Sequence, residues 1–230
     1  MDRRDRRANY SAIWALALAF GVIEASVAIY LREIYVRDAS LGASSRLPNL
    51  EVTLVSLPEP LIALEIAREA CTLILLAGVG WLSGRRFAER AGGFFLAFGI
   101  WDLAYYGVLW IVLGWPTRLT AWDVLFLIPI PWVAPMWAPA FVALLFVLAG
   151  SYLYWTPDYE RRYGWTDATA LAASGLLTLA AFLVESQAAV VHRVPERFPV
   201  WLYWSGLAIG IAWFVRYELS AAKSRRFSGS

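Results

Sequence analysis

The stretch GFFLAFGIWDLAYYGVLWIVLG, residues 93–114, decides the fold. As an α-helix it would extend roughly 33 Å at about 1.5 Å per residue, enough to cross a hydrocarbon core of roughly 30 Å. Its one formal charge is Asp102. Five further apolar runs of comparable length lie near 11–31, 60–83, 134–154, 168–190 and 199–216. Together they raise the hydrophobic share of the 230 residues to 60%, lower the charged share to 17%, and bring the mean hydropathy to +0.56. A soluble domain carries about 45–50% apolar and about 25% charged residues. The longest stretch outside the runs, 32–59, is too short for a domain of its own. The expectation is an all-α integral membrane protein, a bundle of six transmembrane helices. Its parts are a basic cytoplasmic N-terminus (1–10), one membrane domain (11–216) and a basic cytoplasmic tail (217–230).

The first run follows Arg3, Arg4, Arg6 and Arg7, as a signal peptide would. It is longer than a typical h-region and carries Glu24, so it is read as an uncleaved helix. Basic residues then orient the bundle. Thirteen fall in the N-terminus, the 84–92 and 155–167 loops and the tail, against six in the alternate segments. Both termini are therefore expected in the cytoplasm, the location being the plasma (inner) membrane. Trp81, Trp115, Trp132, Trp155, Trp165 and Trp201 fall near expected helix ends, where indoles favour the headgroup region.

Between the third and fourth runs the chain reads WPTRLTAWDVLFLIPIPWVAPMWAP, residues 115–139. Thr120 or Asp123 could start a short helix ending before Pro129. Pro131, Pro135 and Pro139 interrupt the remaining residues, since proline removes a donor and disfavours helix at the preceding residue. The expectation is an irregular, Pro-rich interfacial or re-entrant segment packed over the bundle, with a long kinked fourth helix as the alternative.

The charges inside the runs carry the functional argument. Each costs roughly 2.5–3.5 kcal/mol at membrane depth, so it persists where it is paired, wet or useful. Glu24 lies in the first helix, Glu65, Arg68 and Glu69 in the second, Asp102 in the third and Glu185 in the fifth. Counting along the helices places all five acids at mid-membrane or in the outer half. The i, i+3 spacing puts Glu65 and Arg68 on one face, and Glu69 at i+4 from Glu65 extends it. A guanidinium can bridge two carboxylates, so Arg68 is the expected hub, with Glu24 or Asp102 completing the network. Tyr105 and Tyr106 follow Asp102 at i+3 and i+4 and could line the same cavity. A purely structural network would also hold helices together, but five acids against one arginine at this depth is a surplus. Such acids suit proton relays, cations and substrate amines.

Composition excludes several chemistries. The single histidine, His192, rules out multi-histidine metal sites and is read as a solvated group. The single cysteine, Cys71, is read as a small core residue. The single lysine, Lys223, sits near the C-terminus, away from any membrane-depth Schiff base. No nucleotide-binding, zinc-protease or serine-hydrolase motif appears. No cofactor, metal, catalytic residue or nucleic-acid partner is expected. The glycines of GVIEAS, AGVGW and GLAIG are read as sites of close helix packing. Segments around Glu24 and Glu185 echo each other, which would make helices 1–2 and 5–6 parallel repeats. The functional expectation is an outward-facing carboxylate and arginine cluster that binds or transports a small solute or cation, with possible proton coupling. The alternatives are an accessory subunit of a larger membrane complex, or a homo-oligomer, and an intramembrane enzyme on a lipid or isoprenoid. The chain is read as leaning away from an enzyme.

Overall fold

The computed structural model describes residues 3–39, 58–156, 164–191 and 195–228. Among the described residues, nine elements succeed one another: α1 (Arg3–Ala39), α2 (Glu59–Leu82), α3 (Phe87–Leu113), β1 (Trp122–Phe126), β2 (Trp132–Pro135), α4 (Trp137–Trp155), α5 (Trp165–Leu183), α6 (Ser186–Val190) and α7 (Val200–Ser228). Four helical stretches among them are long and apolar enough to cross a membrane: Arg4–Ile34, Phe87–Leu113, Trp137–Trp155 and Trp165–Val190. That is compatible with a membrane location. The body of α2 carries three charges, Glu65, Arg68 and Glu69, and α7 is less apolar along its length. His192 lies outside the described residues.

Helix α3 is the centre of the bundle, and small residues put it there. A Cβ on Gly150 of α4 would sit 2.5 Å from Leu96 N and 2.7 Å from Gly92 O, and a Cβ on Gly92 would meet Gly150 O at 2.9 Å. The α3 and α4 backbones therefore touch where they cross. Gly21 brings α1 against Trp101 and Ala104, and Gly80 brings α2 against Arg90 and Phe94. Ile13, Ala17, Leu76, Leu96, Ala97 and Ile100 fill the resulting core. The helix ends at Gly114, whose φ of +65° is a left-handed conformation that glycine adopts without a Cβ penalty.

A second unit is the α5–α7 pair. Gly206 admits Thr178 and Ser174 of α5, and Ser174 donates to Gly206 O at 2.8 Å. Large aromatics fill the wider gap between α7 and α4. Trp137 stacks on Trp204, Phe141 meets the same indole edge-on, and the buried Tyr203 hydroxyl donates to Ala138 O at 2.7 Å.

The Pro-rich segment corrects one expectation, the short helix, within a helical fold that stays compatible with an all-α membrane protein. Residues 122–126 and 132–135 form an antiparallel hairpin, with Trp122 opposite Pro135, Asp123 opposite Ala134 and Val124 opposite Val133. Phe126 opposes Trp132, and the register slips by one residue between Val124 and Phe126. The reason lies in the residues. Aromatic and β-branched side chains suit an extended backbone, and the prolines fall in the turn and at the strand end, where no ladder donor is lost. Met136 N–H donates to Ala121 O at 2.8 Å, and Trp137 N–H to Leu119 O at 3.0 Å, so the hairpin runs directly into α4.

Other boundaries also move. Helix α1 begins at Arg3, so the basic N-terminal segment continues the first helix, as its arginines and alanine favour. The fourth helix starts at Trp137 because Ala134 and Pro135 belong to β2. The fifth run pauses at Val184–Glu185, and Glu185 becomes the residue before α6. The repeat reading is not what packs: α5 lies directly against α7, whereas α1 and α2 each lie against α3.

Candidate functional site

Where α1, α2, α3 and β1 converge they line a cavity of about 30 Å³, room for a water molecule or two. Seven of the eight residues singled out in the sequence line it: Glu24, Glu65, Arg68, Glu69, Asp102, Tyr105 and Tyr106. The eighth, Glu185, is not among the lining residues. It lies where α5 gives way to α6, and α6 packs against the far strand of the hairpin.

Arg68 is bonded as the spacing anticipates. Its Nη2 and Nε meet the two Glu65 carboxylate oxygens at 2.6 and 3.0 Å, one helical turn away. Its Nη1 reaches across to the Glu24 carboxylate on α1. Thr72, one turn further along α2, donates to the other Glu24 oxygen at 3.3 Å. Arg68 thus bridges α1 and α2, two helices whose main packing partner is α3.

Glu69 departs from the shared face. Its carboxylate accepts the Leu127 backbone N–H at 2.7 Å, in a buried bond to the hairpin. The end of the strand ladder at Phe126 explains the need. Leu127 lies just past β1 and outside the strand ladder, so its amide takes a side-chain acceptor.

Asp123 is the residue whose role the sequence conceals. Its spacing from Pro129 suits a helix start, yet it stands on the inward face of β1, 2% exposed, and accepts the Tyr106 hydroxyl at 2.8 Å. Burial pushes its carboxyl up to about 7, against the opposing bonds from Tyr106 and the Val124 amide. The available signal was the strand-like WDVLF, with one acid among apolar β-formers. Trp101, Val124 and Leu125 complete the apolar walls.

Asp102 stands apart. Among the described residues no hydrogen bond or ion pair reaches its carboxylate, and the charged groups it feels are Asp123 and Glu24, both acids. The indole Nε1 of its neighbour Trp101 is buried and also without an acceptor among the described residues. Five carboxylates and one guanidinium therefore surround a space the size of a water or small ion. Among the described residues no three ligating side chains converge closely enough to hold a metal ion.

No protein-family model matches this chain, and neither a curated protein nor a solved structure does.

Proposed function

We propose that the chain is a six-span plasma-membrane protein with both termini in the cytoplasm, whose acid-lined pocket binds a proton or small cation from the outer side and couples it to transport. The basic-residue asymmetry supports the orientation. The observation that carries the function is Asp102, an acid facing a cavity among other acids with no partner of its own among the described residues. A group so placed is costly as a scaffold element, because a half-buried carboxylate beside like charges destabilises the bundle it would hold together. It suits a site that takes up and releases positive charge. Size narrows the ligand. About 30 Å³ is far below the roughly 300–1,000 Å³ of organic-ligand pockets, so a proton or small cation fits this conformation and a larger solute does not.

The test is purified protein in liposomes loaded with a pH-sensitive dye. An imposed sodium, potassium or proton gradient should drive dye-reported flux in wild type, with Asp102→Asn folded but inactive. Flux equal in wild type and Asp102→Asn, or absent from both with every imposed ion, would refute the reading.

A second reading, a subunit of a larger assembly, draws support from α5. Only 11% of its most apolar window is buried within this chain, against 28–39% for the other three candidate spans. Extraction from native membranes in a mild detergent should then give a particle well above the 25.8 kDa of one chain, after subtracting bound detergent. A monomeric mass would remove this reading.

A further inference from the structure

At the opposite end of α2 from the hairpin, the α2–α3 turn holds an arginine in a prepared position. The Arg90 guanidinium carbon lies 3.6 Å above the centre of the Trp81 ring. Its Nε donates to Gly84 O at 3.1 Å. Among the described residues neither Nη group has a partner. A guanidinium fixed on an aromatic face by its Nε presents its remaining donors as a fork, the geometry that matches phosphate.

The surroundings are basic and anchored. Asn9 donates to Ser83 O at 2.9 Å and Arg6 lies 3.9 Å from Glu89, so the start of α1 is tied to this turn. Arg85, within the turn, and Arg4 and Arg7, near the start of α1, are exposed. Two of the turn's amides are taken, because the Glu89 carboxylate accepts from Arg85 N–H at 2.8 Å and Arg86 N–H at 3.1 Å. The guanidinium side chains are the cationic donors an anion would meet here.

The rim is also apolar. Trp81, Leu82 and Phe87 are among the most exposed large side chains of the protein. Ile74, Gly78 and Trp81 recur at helical spacing along one face of α2. The expectation that every glycine of AGVGW serves helix packing fails here: Gly80 touches α3, but a Cβ on Gly78 would meet no atom within 4 Å. Gly78 is therefore a notch between two exposed apolar side chains, opening beside the Arg90 and Trp81 pair.

We propose that this rim binds an anionic phospholipid, its phosphodiester held by Arg90 with Arg85 and one acyl chain lying in the Gly78 notch. The notch and the exposed indole favour a lipid over a free phosphate, which would need neither. Full-length protein in nanodiscs of mixed phosphatidylcholine and phosphatidylglycerol is analysed by native mass spectrometry for retained lipid. Wild type should retain phosphatidylglycerol preferentially, and Arg90→Gln should lower that preference about fivefold, the weight of one basic group at an anionic surface. Gly78→Leu fills the notch, alters no charge and adds a Cβ that meets none of the described atoms within 4 Å, so it keeps the fold testable even if Arg90→Gln does not assemble. It should lower retention comparably, and inorganic phosphate should not displace the lipid. Equal retention of both lipids by wild type, or full retention by Gly78→Leu, would overturn the proposal. Displacement by inorganic phosphate would do so too, by reducing the rim to a simple anion site.

Discussion

Arg68 is where the structure makes the sharpest demand on stability. Its side chain is 26% exposed, while Glu65 and Glu24 are 7% and 11% exposed, so the two ion pairs it makes lie mostly out of water. Replacing it with alanine leaves two carboxylates facing each other across the α1–α2 gap with only Thr72 as donor among the described residues. Breaking a buried pair by removing one partner costs roughly 3–5 kcal/mol. The partial exposure of Arg68 argues for the lower end, about 3 kcal/mol, and at roughly 2–4 °C per kcal/mol for a chain of this size the melting temperature should fall by about 6–12 °C. Arg68→Lys should recover part of that, because a single ammonium can meet one carboxylate well but lacks the fork that serves both. Adding Glu24→Gln to Arg68→Ala removes the stranded charge on α1 and should recover stability although a side chain more has been changed. The assay is thermal unfolding in detergent followed by tryptophan fluorescence, for all four proteins at neutral pH. A melting temperature for Arg68→Ala within about 2 °C of wild type, equivalent to under about 1 kcal/mol, would mean that water already screens these charges. The bridging role would then be wrong.

Three further outcomes are expected from the same geometry. Glu69→Ala leaves the buried Leu127 amide without an acceptor and should cost about 1–3 kcal/mol, whereas Glu69→Gln keeps a carbonyl acceptor and should cost clearly less; equal losses in a melting assay would show that the bond to the hairpin is not what Glu69 provides. Asp123 holds its proton more tightly folded than unfolded, so its contribution is present in full below about pH 4, shrinks as pH rises from there to about 7, and is gone above; melting temperature against pH should therefore slope downward over that window, and Asp123→Asn should make the slope shallower, an unchanged slope counting against a buried Asp123. Gly150→Leu forces side-chain atoms into Leu96 N and Gly92 O at the α3–α4 crossing and should abolish the monodisperse peak in size-exclusion chromatography, while the same change at Gly107, whose added Cβ would meet nothing within 4 Å, should leave it intact.

How much of this molecule can be read from its residues depends on how local each cause is. Helix spacing is a local rule, so Glu65 and Arg68 could be paired from their numbers alone, and the structure has them bonded at one turn's distance. Membrane depth is nearly local, since it comes from counting residues along a helix, and it grouped Glu24 and Asp102 with them although they lie on other helices. The same count placed Glu185 at a similar depth, but depth fixes one coordinate of three. Rotation about the bundle is set by which small residues let backbones touch, and Gly92, Gly150 and Gly21 put α3 between its neighbours while α5 turned to α7. Glu69 and Asp123 were least legible because one takes its partner from the hairpin segment and the other stands on it, facing Tyr106 of α3. Nothing in Leu127 itself announces that its amide will need an acceptor; the need arises only after Phe126 has paired with Trp132 and left the next residue outside the ladder. The hairpin is thus the element that turns a helix-borne row of acids into a cavity. Asp123, Val124 and Leu125 supply the wall that α1, α2 and α3 leave open, and Glu69 and Tyr106 tie that wall down on two sides. Loosening it should expose Asp102 without disturbing the Arg68 bridge, so the hairpin and the bridge can be tested as separate parts of one site.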